Sequence, residues 1–310
     1  SLMYLSLINN PSLIFEMLPF IFLLSTQLFF INFFRDNQIN IFKHNGFKNT
    51  KIIFIISCIT FLMGLFFISL FYNMSSNLKS FYLEVKSNYT TDGKYLAVIT
   101  KNGLWIKDKV DNQSMIIRAS KIDGNYLNNS FISIFDDNYN IIQNIKSDKI
   151  DISLKEWKIY EAKVFIDNSI SNLDYLTLKT NFDYKLIQSL FSNLTSLSIF
   201  ELFELRNNYN LLNYSTTEIN VQLQKLFSYP VLLVLMSALS ASIMLHIKVN
   251  ANATIMVSIG LLLSVVIYYI NNFFYVLGNT EKISATLSIW IPILIFTIFK
   301  TIIFYGINEK

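Results

Sequence analysis

Few residues in this chain are of a type and spacing that could do chemistry. His44 and His246 stand far apart, with no Cys or carboxylate cluster beside either, so no metal-ligand spacing exists. Cys58 is the only cysteine; it sits in an apolar run, reads as a small packing residue, and has no partner in the chain for a disulfide. The acidic pair Asp136-Asp137 falls in a turn cluster, where Asp is favoured for backbone reasons. No Gly-x4-Gly-Lys-Ser/Thr loop, Gly-x-Ser-x-Gly elbow, His-Glu-x-x-His pair or kinase set occurs. The reading is therefore no catalytic residue, no metal and no cofactor: not an enzyme.

What remains is one basic segment and a handful of polar residues in apolar surroundings. Arg35–Lys51 carries Arg35, Lys43, Lys48 and Lys51. At helical spacing, Ile39, Phe42 and Phe47 give Arg35–Asn49 an apolar side suited to a groove, and Arg35, Lys43 and Lys48 could pair with acids around that groove. The same composition also describes an ordinary positive loop lying on anionic lipid. Glu16 and Lys300 lie near the ends of apolar runs, and Lys300 can snorkel to headgroups. Gln27, Asn32, Asn271 and Asn272 read as interhelical hydrogen-bonding or interface residues. A proton or ion pump needs ionisable groups inside its spans, and these runs do not supply them.

The elements that must position these residues are membrane spans. Of 310 residues, 53% are hydrophobic and only 15% charged, against about 25% charged in a soluble domain. Five runs reach the roughly 20 residues that cross a bilayer: Leu13–Phe34, Ile52–Tyr72, Leu226–Ile247, Ala253–Leu277 and Ala285–Tyr305. The net charge of +4 comes mostly from scattered Lys, not from Arg clustered with aromatics, which argues against a nucleic-acid partner. Basic residues in short loops orient the chain: Arg35–Lys51, Lys248 and Lys310 face the cytoplasm, and the insert faces outside. Five spans then place Ser1 outside, which implies a sixth, earlier span in the full-length protein.

The insert reads differently. Lys94–Thr100 and Leu104–Asp108 flank Asn102-Gly103, a hairpin signal. Further strands are expected at Ser114–Ala119, Ser130–Phe135, Ile141–Ile145, Lys149–Ile152, Glu156–Ile166 and Tyr175–Thr180. With no βαβ pattern, an antiparallel sandwich or open barrel is expected. Ser198-Ile199-Phe200-Glu201 and Ser215-Thr216-Thr217-Glu218 have capping-box spacing, the first opening a short amphipathic helix with Phe200, Leu202, Phe203 and Leu205. The expected organisation is 1–72, spans with a coupling segment at 35–51; 73–215, an external β-rich domain ending in that helix; and 216–310, three C-terminal spans.

Four stretches resemble one family in order and spacing: Glu16-Met17-Leu18-Pro19; Arg35 to Gly46; Gly103-Leu104-Trp105-Ile106-Lys107-Asp108; and Leu226–Ala241 with Pro230, Gly260 and Trp290-Ile291-Pro292. The chain resembles the LptF/LptG (YjgP/YjgQ-type) permeases of the lipopolysaccharide-export ABC transporter, the LptG type more than LptF, over nearly its whole length but without the first span. The resemblance implies a Gram-negative inner-membrane subunit with a periplasmic β-jellyroll or open-barrel domain. It implies a heterodimer with an LptF-like permease, a cytoplasmic LptB-like ATPase dimer, and LptC/LptA-like bridge proteins that receive lipopolysaccharide. On this resemblance the ATPase-coupling residues are Arg35, Asp36, Gln38, Ile39, Phe42, Lys43 and Gly46. Gln38 stands where the family usually has Glu, which removes an ion pair to the ATPase there. Tyr268, Tyr269, Phe273 and Phe274 are candidates for the lipid path, or else an interfacial aromatic belt. The competing expectation is a membrane-anchored sensor or binding protein with an external β domain, which would need a cytoplasmic output module that loops of this length do not provide.

Overall fold

The computed structural model describes residues 2–89, 104–110, 113–166, 169–190, 193–211, 214–246 and 253–308. The strand expected at Lys94–Thr100, its Asn102-Gly103 turn, and the charges Lys248 and Lys310 lie outside these residues. The chain divides into two compact units: Ser1–Ser80 with Leu194–Leu202 and Ser215–Lys310, and Phe81–Asn193 with Phe203–Tyr214.

Five helices of the first unit are long and apolar enough to cross a membrane. They are built on α1 (Leu2–Arg35), α3 (Asn49–Phe66) continuing into α4 (Asn73–Tyr89), α7 (Thr217–His246), α8 (Ala253–Asn279) and α9 (Ala285–Asn308), with a short α2 (Gln38–His44) between the first two. The sequence boundary expected at 72/73 falls inside continuous helix: a π-helical turn, Phe67–Tyr72, joins α3 to α4. Apolar content alone could not mark it, because α4 changes composition without changing backbone.

The middle of the bundle is α7. Ser237, Ser240, Ser242, Ala238 and Ala241 are buried on it. Small side chains let neighbouring backbones approach where lipid supplies no hydrophobic drive for helix association. At Gly64 of α3 a Cβ would lie 2.8 Å from Pro230 Cα of α7. At Gly260 of α8 a Cβ would collide with the buried side chain of Gln27, whose Nε2 donates to Met256 O at 3.3 Å. Gln27 is thus the interhelical hydrogen-bonding residue the sequence suggested, and Gly260 makes room for it.

The β unit contains β1 (Leu104–Val110), β2 (Gln113–Asp123), β3 (Tyr126–Phe135), β4 (Ile141–Asp151), β5 (Glu156–Ile166) and β6 (Ser169–Lys179), followed by α5 (Tyr184–Leu190). All described pairs are antiparallel, in the order β1-β2-β3-β4-β5-β6. Of the forms the sequence allowed, the described strands take the open one, since strands adjacent in sequence are adjacent in the sheet. The two short strands expected at 141–145 and 149–152 are one strand, β4. Alternate residues from Leu104 to Val164 join Phe182 and Ile187 in a single core, so the sheet curls around its own interior. Trp157 is fully buried there and donates Nε1–H to Phe182 O at 2.7 Å.

The ends of the sheet are tied rather than left open. Asp108 is buried; its carboxylate accepts from Asn181 N, Asn181 Nδ2 and Lys109 N at 2.8–2.9 Å. The exposed side of β1 meets Tyr214, whose hydroxyl donates to Lys107 O at 2.9 Å and accepts from Lys107 N at 3.2 Å. Burial pushes the Tyr214 phenol pKa up, against the lowering effect of the Lys107 backbone bond. Such contacts blunt an edge strand against pairing with another chain. In the turn before β4, Asp136 accepts from Asn138 N, Asn140 N and Asn140 Nδ2, and the Asn140 bonds chiefly hold its carboxyl below the usual range. Asp136 therefore organises its turn, as its sequence position suggested.

Gly64 gives the sharpest test of the bundle. Gly64→Ala must displace the Pro230 backbone and is expected to cost about 1–3 kcal/mol, read as a lower apparent Tm of the full chain in detergent. Gly124→Ala, whose Cβ would meet nothing within 4 Å, is expected to leave the bundle transition in place.

Candidate functional site

A cavity of about 360 Å³ lies within the helical unit, lined by α1, the π turn and start of α4, α7, α8 and α9. Its construction starts at Pro19. Proline has no N–H, so the carbonyl four residues back, that of Phe15, loses its helical donor. The Tyr229 hydroxyl of α7 supplies one, donating to Phe15 O at 2.6 Å. The two rings stack, centroids 4.4 Å apart and 10° from parallel. Tyr72, set by the π turn, packs on the other side of Phe15 at 5.1 Å and donates its hydroxyl to Leu197 O at 2.9 Å. π turns insert an extra residue into a helix and re-aim the side chains that follow; here Tyr72 and Ser75 both line the cavity.

Charge is concentrated at this place. Glu16 of α1 and Lys225 of α7 line the cavity. Lys79 lies 4.0 Å from Glu16 Oε1, and Lys225 sits over the Tyr275 ring at 5.2 Å and within electrostatic reach of both Glu16 and Lys79. Glu201 acts electrostatically on Tyr72 at the same cavity, so the charged groups around it are of both signs. Gln222, Lys225 and Tyr229 share a face of α7 at spacings of three and four, and Gln222 Oε1 is buried without a hydrogen-bond partner. Asn271 and Asn272 of α8 add amides to the wall. The arrangement suits an amphiphile: a polar end with Lys225 and Glu16 beside Phe20, Leu232 and Ile293.

Several of these residues were missed from sequence. Lys225 falls just outside the apolar run that opens at Leu226, but α7 begins nine residues earlier, at Thr217. Lys79 was assigned to the insert, because the π turn that carries helix past Tyr72 has no composition signal. The readable clue was the Gln222–Lys225–Tyr229 spacing ahead of Pro230.

Of the lipid-path candidates, Tyr268 lines the cavity, its ring edge-on to Phe20 at 6.1 Å. Tyr269 packs against Tyr268 at 5.7 Å but is 66% exposed on the outer face of α8. Phe273 is also exposed, and Phe274 is half-buried beside it at 5.6 Å. Tyr269, Phe273 and Phe274 do not line the cavity. The four are therefore split between cavity and bundle surface.

The coupling candidates gather around α2. Gly46 (φ +80°) ends it: Phe47 N donates to Phe42 O, and Gly46 N to Lys43 O, both at 3.0 Å. With the Phe42 and Phe47 rings 5.3 Å apart, this is a Schellman end with its apolar contact. The helix is shorter than the Arg35–Asn49 stretch expected. Ile39 is 5% exposed, in a cluster with Phe33, Phe34, Ile53, Ala241 and Met244, so it holds α2 to the bundle instead of offering an outward anchor. Phe42 and Ile41, a residue not singled out from sequence, are the exposed apolar pair, at 39% and 59%. Arg35 pairs with Asp36 at 3.7 Å, while Gln38 and Lys43 are exposed.

At the start of α7 the expected capping box is replaced. Ser215 Oγ and Thr217 Oγ1 donate to Glu281 of the α8–α9 loop at 2.6 and 2.9 Å, bonds that hold the Glu281 carboxyl below its usual range. The box at Ser198 forms as expected and opens α6 (Ile199–Leu211): Ser198 N donates to Glu201 Oε2 at 2.7 Å, and Glu201 N to Ser198 Oγ at 3.3 Å.

The Phe15–Tyr229 bond predicts a coupled pair. Tyr229→Phe leaves a buried carbonyl without a donor and is expected to cost about 1–3 kcal/mol. In a Pro19→Ala background that carbonyl regains its helical N–H, so the cost of Tyr229→Phe is expected to shrink by about half or more. Thermal unfolding of the four variants measures the coupling; equal costs in both backgrounds would contradict it.

Comparison with known proteins now adds one finding. The family model described as lipopolysaccharide export system permease LptF/LptG matches residues 1–306. No curated protein matches the chain. The chain belongs to the LptF/LptG permease family and is a multi-pass membrane protein carrying an inserted antiparallel β domain.

Proposed function

We propose that this chain, a member of the LptF/LptG permease family, is the LptG-like half of a transporter that extracts lipopolysaccharide from the inner membrane. It pairs with an LptF-like permease, is driven by a cytoplasmic LptB-like ATPase dimer, and feeds LptC/LptA-like bridge proteins through a periplasmic β domain. The chain itself is non-catalytic; ATP hydrolysis belongs to the separate ATPase. The observation that supports this reading best is the cavity: Lys225 and Glu16, the latter within 4.0 Å of Lys79, set among aromatic and aliphatic walls. A lipid with phosphates at one end and acyl chains at the other matches that polarity.

The second support is the path between the cavity and α2. Ile39 of α2 packs in the same cluster as Ala238, Ala241 and Met244 of α7, and α7 also carries Lys225 and Tyr229 at the cavity. Tyr229 to Met244 is roughly 22 Å at 1.5 Å per residue. A push on α2 reaches the cavity along one helix, which carries Pro230 beside Tyr229. Phe42 and Ile41 are the apolar contacts for the ATPase groove, with Arg35, Asp36, Gln38 and Lys43 around them and Gly46 closing the helix. Tyr268 meets lipid inside the cavity, and Tyr269, Phe273 and Phe274 meet lipid or the second permease outside it.

Co-expression with the partner permease and ATPase, followed by purification through a tag on this subunit, tests both halves. Phe42→Asp is expected to reduce retained ATPase by about tenfold or more, with the permease pair intact. Lys225→Gln is expected to retain ATPase but to lower the apparent affinity for lipopolysaccharide, read from stimulated hydrolysis, by about tenfold. Failure of the wild type to retain any ATPase would overturn the reading.

A further inference from the structure

A second cavity, an open groove of about 600 Å³, lies at the end of the bundle that carries the 36–48 connection. Three lysines line it: Lys48 and Lys51 at the start of α3, and Lys300 near the end of α9. Like charges brought together repel unless something neutralises them. Within the described residues no carboxylate lies within 4.0 Å of any of the three. Instead Lys51 sits over the Phe47 ring at 4.3 Å and Lys300 by the Phe304 ring at 5.7 Å. The remaining wall is apolar or hydroxylic, with Phe54, 68% exposed, and Phe304 beside Thr50 and Ser57. No side chain caps the first turn of α3 at Lys48, so the positive end of that helix adds to the same field.

Lys300 decides the class of ligand. It lies inside an apolar span, Ala285–Tyr305, where a lysine reaches toward the interface to keep its charge hydrated. Here it is half-buried and shares the groove with the start of α3. The groove thus offers three cations together with two aromatic rings, Phe54 one turn deeper into α3 than Lys51 and Phe304 one turn nearer the end of α9 than Lys300. A soluble anion would use only the first half of that surface.

We infer that this groove binds an anionic phospholipid of the leaflet at that end, the phosphate held by Lys48, Lys51 and Lys300 beside Phe304 and the acyl chains lying along Phe54. Gly46 also lines the groove, so the bound lipid touches the segment that ends α2 and stiffens it. The inference concerns a site remote from the cation-bearing cavity and stands or falls apart from the export reading.

The test is native mass spectrometry of the full chain released from nanodiscs containing equal phosphatidylglycerol and phosphatidylcholine. Wild type is expected to retain phosphatidylglycerol preferentially, with no loss on adding 10 mM inorganic phosphate. The triple variant Lys48→Gln, Lys51→Gln, Lys300→Gln is expected to lose that preference by about tenfold or more, while the Arg triple at the same positions keeps it. The Arg triple also reports whether substitution alone disturbs folding. Unchanged retention in the Gln triple would overturn the proposal. So would displacement by phosphate, which would mark a soluble-anion site.

Discussion

The bundle depends on a carbonyl that proline leaves bare. A helix crossing apolar surroundings must satisfy its own backbone, because an unpaired group there costs several kcal/mol. Pro19 breaks that rule at Phe15, and Tyr229 repairs it from α7. The repair fixes the distance and rotation of α1 against α7, and stacks Phe15 on Tyr229. It also places Glu16, the next residue, opposite Lys225, one helical turn before Tyr229. The cavity and its charges follow from that single bond. Ser240, whose hydroxyl donates to Leu23 O at 2.8 Å, pins the same helix pair further along.

The two ends of α7 then do different work. At the cavity end its polar face carries Gln222, Lys225 and Tyr229. At the other end its small face, with Ala238, Ala241 and Met244, receives Phe30, Phe33 and Ile39. Close packing between them leaves no soft layer. Gly64 against Pro230 permits no methyl group, and Gly260 leaves room only for Gln27. A packed element of this kind transmits displacement rather than absorbing it.

The sequence made much of this legible, and the rest was hidden for physical reasons. Spans were readable because a bilayer demands long apolar runs, and β1, β2, β3 and β5 because one buried face demands alternation. β4 read as two pieces because Ser147 is buried mid-strand, with its hydroxyl turned to Tyr160 O. The α3–α4 join was invisible because a π turn changes hydrogen bonding and not composition. Ile39 looked like an outward anchor because periodicity gives a face without saying what covers it; the cover is α1, α3 and α7. Lys225 was lost because a charge at the edge of an apolar run reads as its end.

The most direct test places a photoreactive benzoylphenylalanine at Phe20, which lines the cavity, and, as the comparison, at Phe299, which faces outward on α9. Both proteins are assembled with the partner permease and ATPase and irradiated in membranes containing lipopolysaccharide. The account predicts lipopolysaccharide adducts from position 20 that fall when ATP is hydrolysed, and few from position 299. Adducts of equal yield from both positions, or none from position 20, would contradict it.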